Sequence, residues 1–317
     1  MPSVTDMVFA TSCDGHAAVA KCALAGMSRS TLVATLGARV RDDDVERRAE
    51  TWAQALACSP EGTSLEILAE IVADDVVRVP RVLVADRDVT VVERVPADGA
   101  TRLTGQQAEH LWRAMERLWK TSAVTGEGRR HGVNANHRRS IEWTYERKFG
   151  GTRAHRYLRT ALPAPRLHRA VGAVVDGVAL SRPRAAATPR LVHGDLKPEH
   201  VISSVGGHVH LIDPAVHLGD PRADVARLLL RSALASGGAG AALQGRAGEA
   251  ATELGGETVV VLMAMDWVNI VTTWATSGLL RDSTLLAQAG VLMSALGRRG
   301  DAAGVASDLA AAGIDAR

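Results

Sequence analysis

Two aspartates that sit beside short apolar runs constrain this chain more than any other feature: Asp195 in "RLVHGDLKPEHVI" (190–202) and Asp213 in "HVHLID" (208–213). The apolar runs suit strands of only a few residues, and the polar segments between them are turn-like. If the strands pair, both carboxylates emerge at one end of a small hairpin, a few ångströms apart. Lys197 and His200 lie in the same loop. Two carboxylates converging on an open loop suit phosphoryl transfer, since one can bind Mg²⁺ while the other orients a hydroxyl nucleophile. That reaction has a loose transition state, so positioning and charge neutralisation dominate it.

The rest of the sequence supplies a scaffold of two textures. Residues 1–95 read as a small sheet with one or two helices. "MVFATS" and "HAAVAKCAL" flank the turn "CDG" and deliver Lys21 from a strand; "TSLEILAEIV" is a short helix; Arg81–Ala85 and Val89–Val95 are β-rich runs joined by "DRD". "DDDVERRAETWAQALACS" is predicted as a further helix. From 96 to 317 the sequence is mainly helical. Thr104 and Gln107 have the spacing of a capping box, and Asp220-Pro221 reads as an N-cap followed by the first helical residue. The apolar segment 259–275 is interrupted by Asp266 and Asn269 and is too short for a membrane span, which predicts a buried helix. Three cysteines without a CxxC pair suggest neither a disulfide framework nor a zinc site, and a reducing, cytoplasmic setting is expected.

"HGDLKPEH" followed by "LIDPAVHLGDPRADVA" resembles the catalytic and metal-binding segments of the aminoglycoside phosphotransferase and choline kinase superfamily, relatives of the protein kinases. The resemblance rests on His193, Gly194, Asp195, Asp213, Gly219-Asp220-Pro221 and Asp224. It implies an α+β, two-lobed protein-kinase-like fold, with a small β-rich N-lobe (1–95) for nucleotide and a larger helical C-lobe (96–317) for catalysis and acceptor binding. It further implies that Asp195 is the catalytic aspartate and that Asp213 holds Mg²⁺. Lys197 would reach the transferred phosphate, and Lys21 the α and β phosphates of ATP, with GTP as a possible alternative donor. Glu93 to Val95 would meet the adenine through backbone groups. Glu66 and Glu50 are the alternatives for a partner of Lys21.

The sequence departs from the pattern in two places. His200 stands where the family carries a second metal-binding asparagine, so it is open to three readings: a metal ligand, a phosphate contact, or a side chain packed beneath the loop. No GxGxxG precedes Lys21. A pseudokinase that binds nucleotide without transfer is therefore the rival reading, and retention of Lys21, Asp195, Lys197 and Asp213 argues against it.

Charge bears on the acceptor. Residues 101–190 hold 18 Lys/Arg against 6 Asp/Glu, while 1–100 hold 10 against 16. A polycationic acceptor calls for a carboxylate-rich site, so the basic block predicts a neutral or anionic small molecule with a free hydroxyl. A nucleoside-type antibiotic such as capuramycin is the most specific expectation, with a sugar or amino-alcohol kinase as the alternative. Paired aspartates are not explained by nucleic-acid binding, and neither nucleic acid nor membrane is an expected partner.

Overall fold

The computed structural model describes residues 6–23, 61–85, 89–96, 103–121, 164–183, 188–204, 206–235, 239–274, 282–298 and 301–314, with isolated positions between 141 and 162. The predicted helix around residues 42–59, with Glu50, lies outside the described residues, as does most of the basic block.

The N-terminal sheet has the order β1-β2-β5-β4, built from β1 (Asp6–Cys13), β2 (His16–Ala23), β4 (Val82–Ala85) and β5 (Val89–Glu93), all antiparallel. The β1–β2 turn uses Asp14 and Gly15, both at positive φ, as a tight two-residue hairpin connection requires. Helix α1 (Glu61–Val72) buries Leu65, Ile67, Leu68 and Val72 and turns Glu66 outward. A short strand, β3 (Val77–Arg78), leaves this half and pairs in parallel with β8 (Val209–Leu211), tying the N-terminal half to the strand that feeds Asp213.

Helix α2 (Gly105–Lys120) begins with the expected capping box. Thr104 Oγ1 accepts from Gln107 N at 3.2 Å and Gln107 Oε1 accepts from Thr104 N at 2.8 Å. Its apolar stripe, Ala108, Leu111, Met115 and Leu118, is buried. Helix α3 (Pro165–Ser181) starts with Pro165 at the first helical position.

The hairpin expectation needs one correction. The strand before Asp195, β6 (Arg190–Val192), pairs with β9 (His217–Gly219). The hairpin is made instead by β7 (Val201–Ser203), after Asp195, and β8, before Asp213. The carboxylates still converge, because both strand pairs border one loop cluster.

Helix α4 (Pro221–Leu234) has Asp220 as its N-cap, accepting from Arg222 N at 3.0 Å, and packs along α5 (Ala239–Trp274), which breaks at Gly255 (φ +100°). Helices α6 (Asp282–Arg298) and α7 (Ala302–Ile314) complete the C-terminal half. The Gly/Ala-rich start of α5 is helical from Ala239 onward. Small residues there allow close helix packing: a Cβ on Gly248 would lie 2.8 Å from Ala303 Cβ on α7. Trp267 and the apolar residues around it are buried, as expected of a core helix. Among the described residues one segment, Ala242–Thr272, is long and apolar enough to cross a membrane by composition, and about half of it is buried inside the fold.

Candidate active site

The loop after β6 is shaped by one glycine and one buried carboxylate. Gly194 has φ +81°, and a Cβ there would fall 2.3 Å from the Ala215 carbonyl oxygen, so no other residue fits without moving backbone. Asp224, on the first turn of α4, accepts from His193 N (2.7 Å), Gly194 N (2.9 Å) and Trp119 Nε1 (3.2 Å). Burial pushes its carboxyl above the usual range, and the three donors oppose that rise. His193 is fully buried behind the loop; burial lowers its imidazole to about 4, against the opposing pull of Asp195, so it is neutral at pH 7.

Asp195 follows, with Leu196 buried beside it as an anchor. Its carboxylate is held from two sides: Lys197 Nζ donates to Oδ2 at 2.9 Å and Arg227 Nη1 donates to Oδ1 at 2.9 Å. Burial would raise this carboxyl, but Arg227 first and Lys197 next hold it well below the ordinary carboxylate range. It is therefore a weak proton acceptor, better fitted to orient a hydroxyl than to deprotonate one in the ground state.

Asp213 sits at φ +52°, a left-handed conformation that a non-glycine residue adopts at some cost. Lys21, carried across from β2 and largely buried, forms an ion pair with Asp213 Oδ1. On the other side, His200 Nε2 lies 3.3 Å from Asp213 Oδ2. A single 3₁₀ turn, Pro198–His200, places this ring. Its Nδ1 is 3.0 Å from the Asp195 carbonyl oxygen. That oxygen can only accept, which assigns the ring hydrogen to Nδ1. Burial lowers the imidazole to about 3, so at neutral pH Nε2 carries a lone pair that faces another acceptor.

Two acceptors facing at this distance are what a shared cation resolves, since ligands at right angles about a metal lie roughly 3 Å apart. Asp213 and His200 thus fit a divalent cation. Among the described residues no group of three or more His, Cys, Asp or Glu side chains does so, and the remaining positions would fall to phosphate oxygens and water.

The structure brings Lys21, Asp195, Lys197, His200 and Asp213 together. Glu66 is exposed on α1, because the apolar positions around it fix the buried face of that helix. Glu93 and Val95 lie at the end of β5, where Glu93 N donates to Arg81 O and Arg94 N to Ala17 O, both at 2.9 Å. Two site members escaped the sequence reading. Arg227 is a cation inside the apolar run "DVARLLL", three residues after Asp224 and so on the same helical face, which is the signal that could have found it. Asp266, which in the sequence stands out only as an interruption of the apolar segment 259–275, has its Oδ1 3.5 Å from Arg227 Nη2.

A small antiparallel sheet that delivers a lysine to a carboxylate-bearing loop on a helical body defines a protein-kinase-like fold. The chain belongs to the phosphotransferase enzyme family, whose profile matches residues 28–257. It is thus a small-molecule phosphotransferase acting on hydroxyl groups. Among solved structures it is similar to a thermostable mutant of aminoglycoside phosphotransferase APH(4)-Ia in ternary complex with AMP-PNP and hygromycin B, at TM-score 0.58 and 11% identity over 95% of this chain and 93% of that one. It is also similar to a protein of Haemophilus somnus 129PT assigned as a fructosamine-3-kinase, at TM-score 0.53 and 12% identity over 92% and 87%. At such identities the likeness speaks for the fold alone. No curated protein sequence matches the chain.

Proposed function

We propose that this enzyme transfers the γ-phosphoryl group of ATP, or GTP, to a hydroxyl of a small neutral or anionic natural product, with antibiotic inactivation or self-protection as its role. A nucleoside-type antibiotic such as capuramycin is the specific acceptor we put forward. In this reading Asp195 accepts a hydrogen bond from the acceptor hydroxyl and aims its oxygen at the γ-phosphorus. A new O–P bond forms as the bond to the β-γ bridging oxygen breaks, and the hydroxyl proton leaves late, to Asp195 or to the transferred phosphate. Lys21 and Lys197 offset the charge of the phosphates. Asp213 and His200 would hold Mg²⁺, which supplies further charge neutralisation when bound. Glu93 to Val95 would present backbone groups to the base.

The observation that carries the acceptor class is the pairing of the site's carboxylates. Asp195 is matched by Lys197 and Arg227, Asp213 by Lys21, and Asp266 by Arg227. No surplus of carboxylates among these groups is left to attract a polycation, so the local field favours a neutral or anionic guest. The test is nucleotide consumption against a panel of hydroxylated natural products with ATP and with GTP, read by the mass gain of one phosphate. Phosphorylation of polyamines alone would remove the acceptor class. Nucleotide binding with no transfer to any hydroxyl, water included, would leave the pseudokinase reading in its place.

A further inference from the structure

Arg227 reaches Asp195 from outside both the catalytic loop and the N-terminal sheet. It projects from α4 with its side chain about a third exposed, and its Nη1 donates both to Asp195 Oδ1 (2.9 Å) and to the Gly194 carbonyl oxygen (2.8 Å). Its Nη2 faces Asp266 Oδ1 on α5 at 3.5 Å, and that carboxylate is largely buried. Burial disfavours the guanidinium charge, yet Asp266 and then Asp195 more than restore it. The group is therefore a fixed, charged fork that joins two helices to both the backbone and the side chain of the loop.

We infer that Arg227, itself oriented by Asp266, is a positioning residue for phosphoryl transfer: it locks the rotation of the Asp195 carboxylate so that the remaining lone pair of each oxygen points where the acceptor hydroxyl must arrive. Lys197 on Oδ2 alone would let the carboxylate swing about its Cβ–Cγ bond. A second donor on Oδ1, anchored also to the Gly194 carbonyl, removes that freedom. Each carboxylate oxygen can accept about two hydrogen bonds, so the lock leaves room for the substrate. A planar fork fits these three acceptors, whereas an ammonium meets one or two of them.

The inference rests on the phosphotransfer reading, and one experiment separates the two. Turnover of ATP with Mg²⁺, water serving as acceptor where no other is supplied, is measured for the full-length wild type and variants, alongside thermal unfolding. Arg227→Met is expected to lower kcat about 100-fold while the nucleotide KM stays within about twofold, because an ångström of misplacement at the nucleophile costs that order of rate without touching the nucleotide. Arg227→Lys should recover about a tenth of wild-type kcat, and Asp266→Asn should lose about five- to tenfold. Millimolar guanidinium should raise the kcat of Arg227→Ala several-fold and leave the wild type unchanged, which a merely structural role would not produce. A kcat for Arg227→Met within about threefold of wild type, or a loss matched by KM and insensitive to guanidinium, overturns the inference. Absence of turnover in the wild type itself would remove the phosphotransfer reading and this inference with it.

Discussion

Asp224→Asn isolates what the buried carboxylate does for the catalytic loop. The native side chain accepts three hydrogen bonds, two on Oδ2 and one on Oδ1. An asparagine in the same place has one acceptor oxygen. With that oxygen toward His193 N and Trp119 Nε1, its amide nitrogen faces Gly194 N, donor against donor. Losing that bond and leaving a buried N–H unsatisfied costs about 1–3 kcal/mol. The two bonds that remain drop from charge-assisted to neutral, about 1 kcal/mol each. Against this, the neutral amide avoids the desolvation that holds the native carboxyl above its ordinary range, which offsets part of the loss. The net expectation is a destabilisation of about 2–3 kcal/mol, or a fall in Tm of about 4 °C for a chain of this size. Asp224→Leu should be far worse, since it leaves all three donors without a partner. Differential scanning calorimetry checks the order. An Asp224→Asn protein whose Tm lies within 1 °C or so of wild type, or a leucine variant no less stable than the asparagine one, would refute the assignment of Asp224 as the loop's anchor.

Asp195→Asn and Asp213→Ala should each lower phosphoryl transfer by about 10²–10⁴-fold with circular dichroism unchanged, and near-normal steady-state turnover in either would remove the proposed roles. His200→Asn replaces a nitrogen donor by an amide oxygen; it should keep or raise activity with Mg²⁺ and weaken the response to Mn²⁺, read as metal-dependent initial rates, whereas a severe loss with both metals would point to a phosphate contact. The depressed imidazole of His193 means the unfolded chain binds one more proton between about pH 6.5 and 4. Its contribution is therefore intact above 6.5 and declines at up to about 1.4 kcal/mol per pH unit as pH falls toward 4; urea melts across this window should show the slope, and His193→Leu should flatten it.

Where local chemistry decides the structure, the sequence was transparent. The Asp14-Gly15 turn, the Thr104 capping box and the Asp220-Pro221 helix start each depend on a few adjacent residues, and each forms as expected. The strand partners were not legible, because runs of three residues carry too little pattern to specify register. Here the pairing of β6 with β9 and of β7 with β8 is decided by tertiary neighbours, among them β3 beside β8. The core of the site was legible as a cluster in one loop, with Lys21 added by resemblance. Charge and spacing say nothing about which way a helix face turns, and the apolar residues around Glu66 leave it exposed. Arg227 and Asp266 were missed for the converse reason: each is an ordinary surface type placed inside an apolar helix, where only the contact between α4 and α5 reveals its use.

The site's groups depend on one another in a way that bears on catalysis. A buried polar network rigidifies only when its members are satisfied, and a half-satisfied one is worse than an apolar core. Here the catalytic loop is held from three directions. Asp224 binds its backbone from α4, Arg227 joins its backbone and the Asp195 carboxylate to α5 through Asp266, and Lys21 reaches Asp213 from the N-terminal sheet. The first two restraints lie wholly within the helical body. The third spans the two halves of the molecule, beside the parallel pairing of β3 with β8. The geometry of Asp195 is thus set by the helical body alone, while that of Asp213 depends on how the sheet sits against it. If Lys21 takes up phosphate as proposed, Asp213, with His200 beside it, is the half of the site that should respond to bound nucleotide, because Lys21 would give up part of its contact with Asp213. Asp195 can stay in place while that exchange occurs, which suits a reaction whose barrier is governed by where the hydroxyl is aimed.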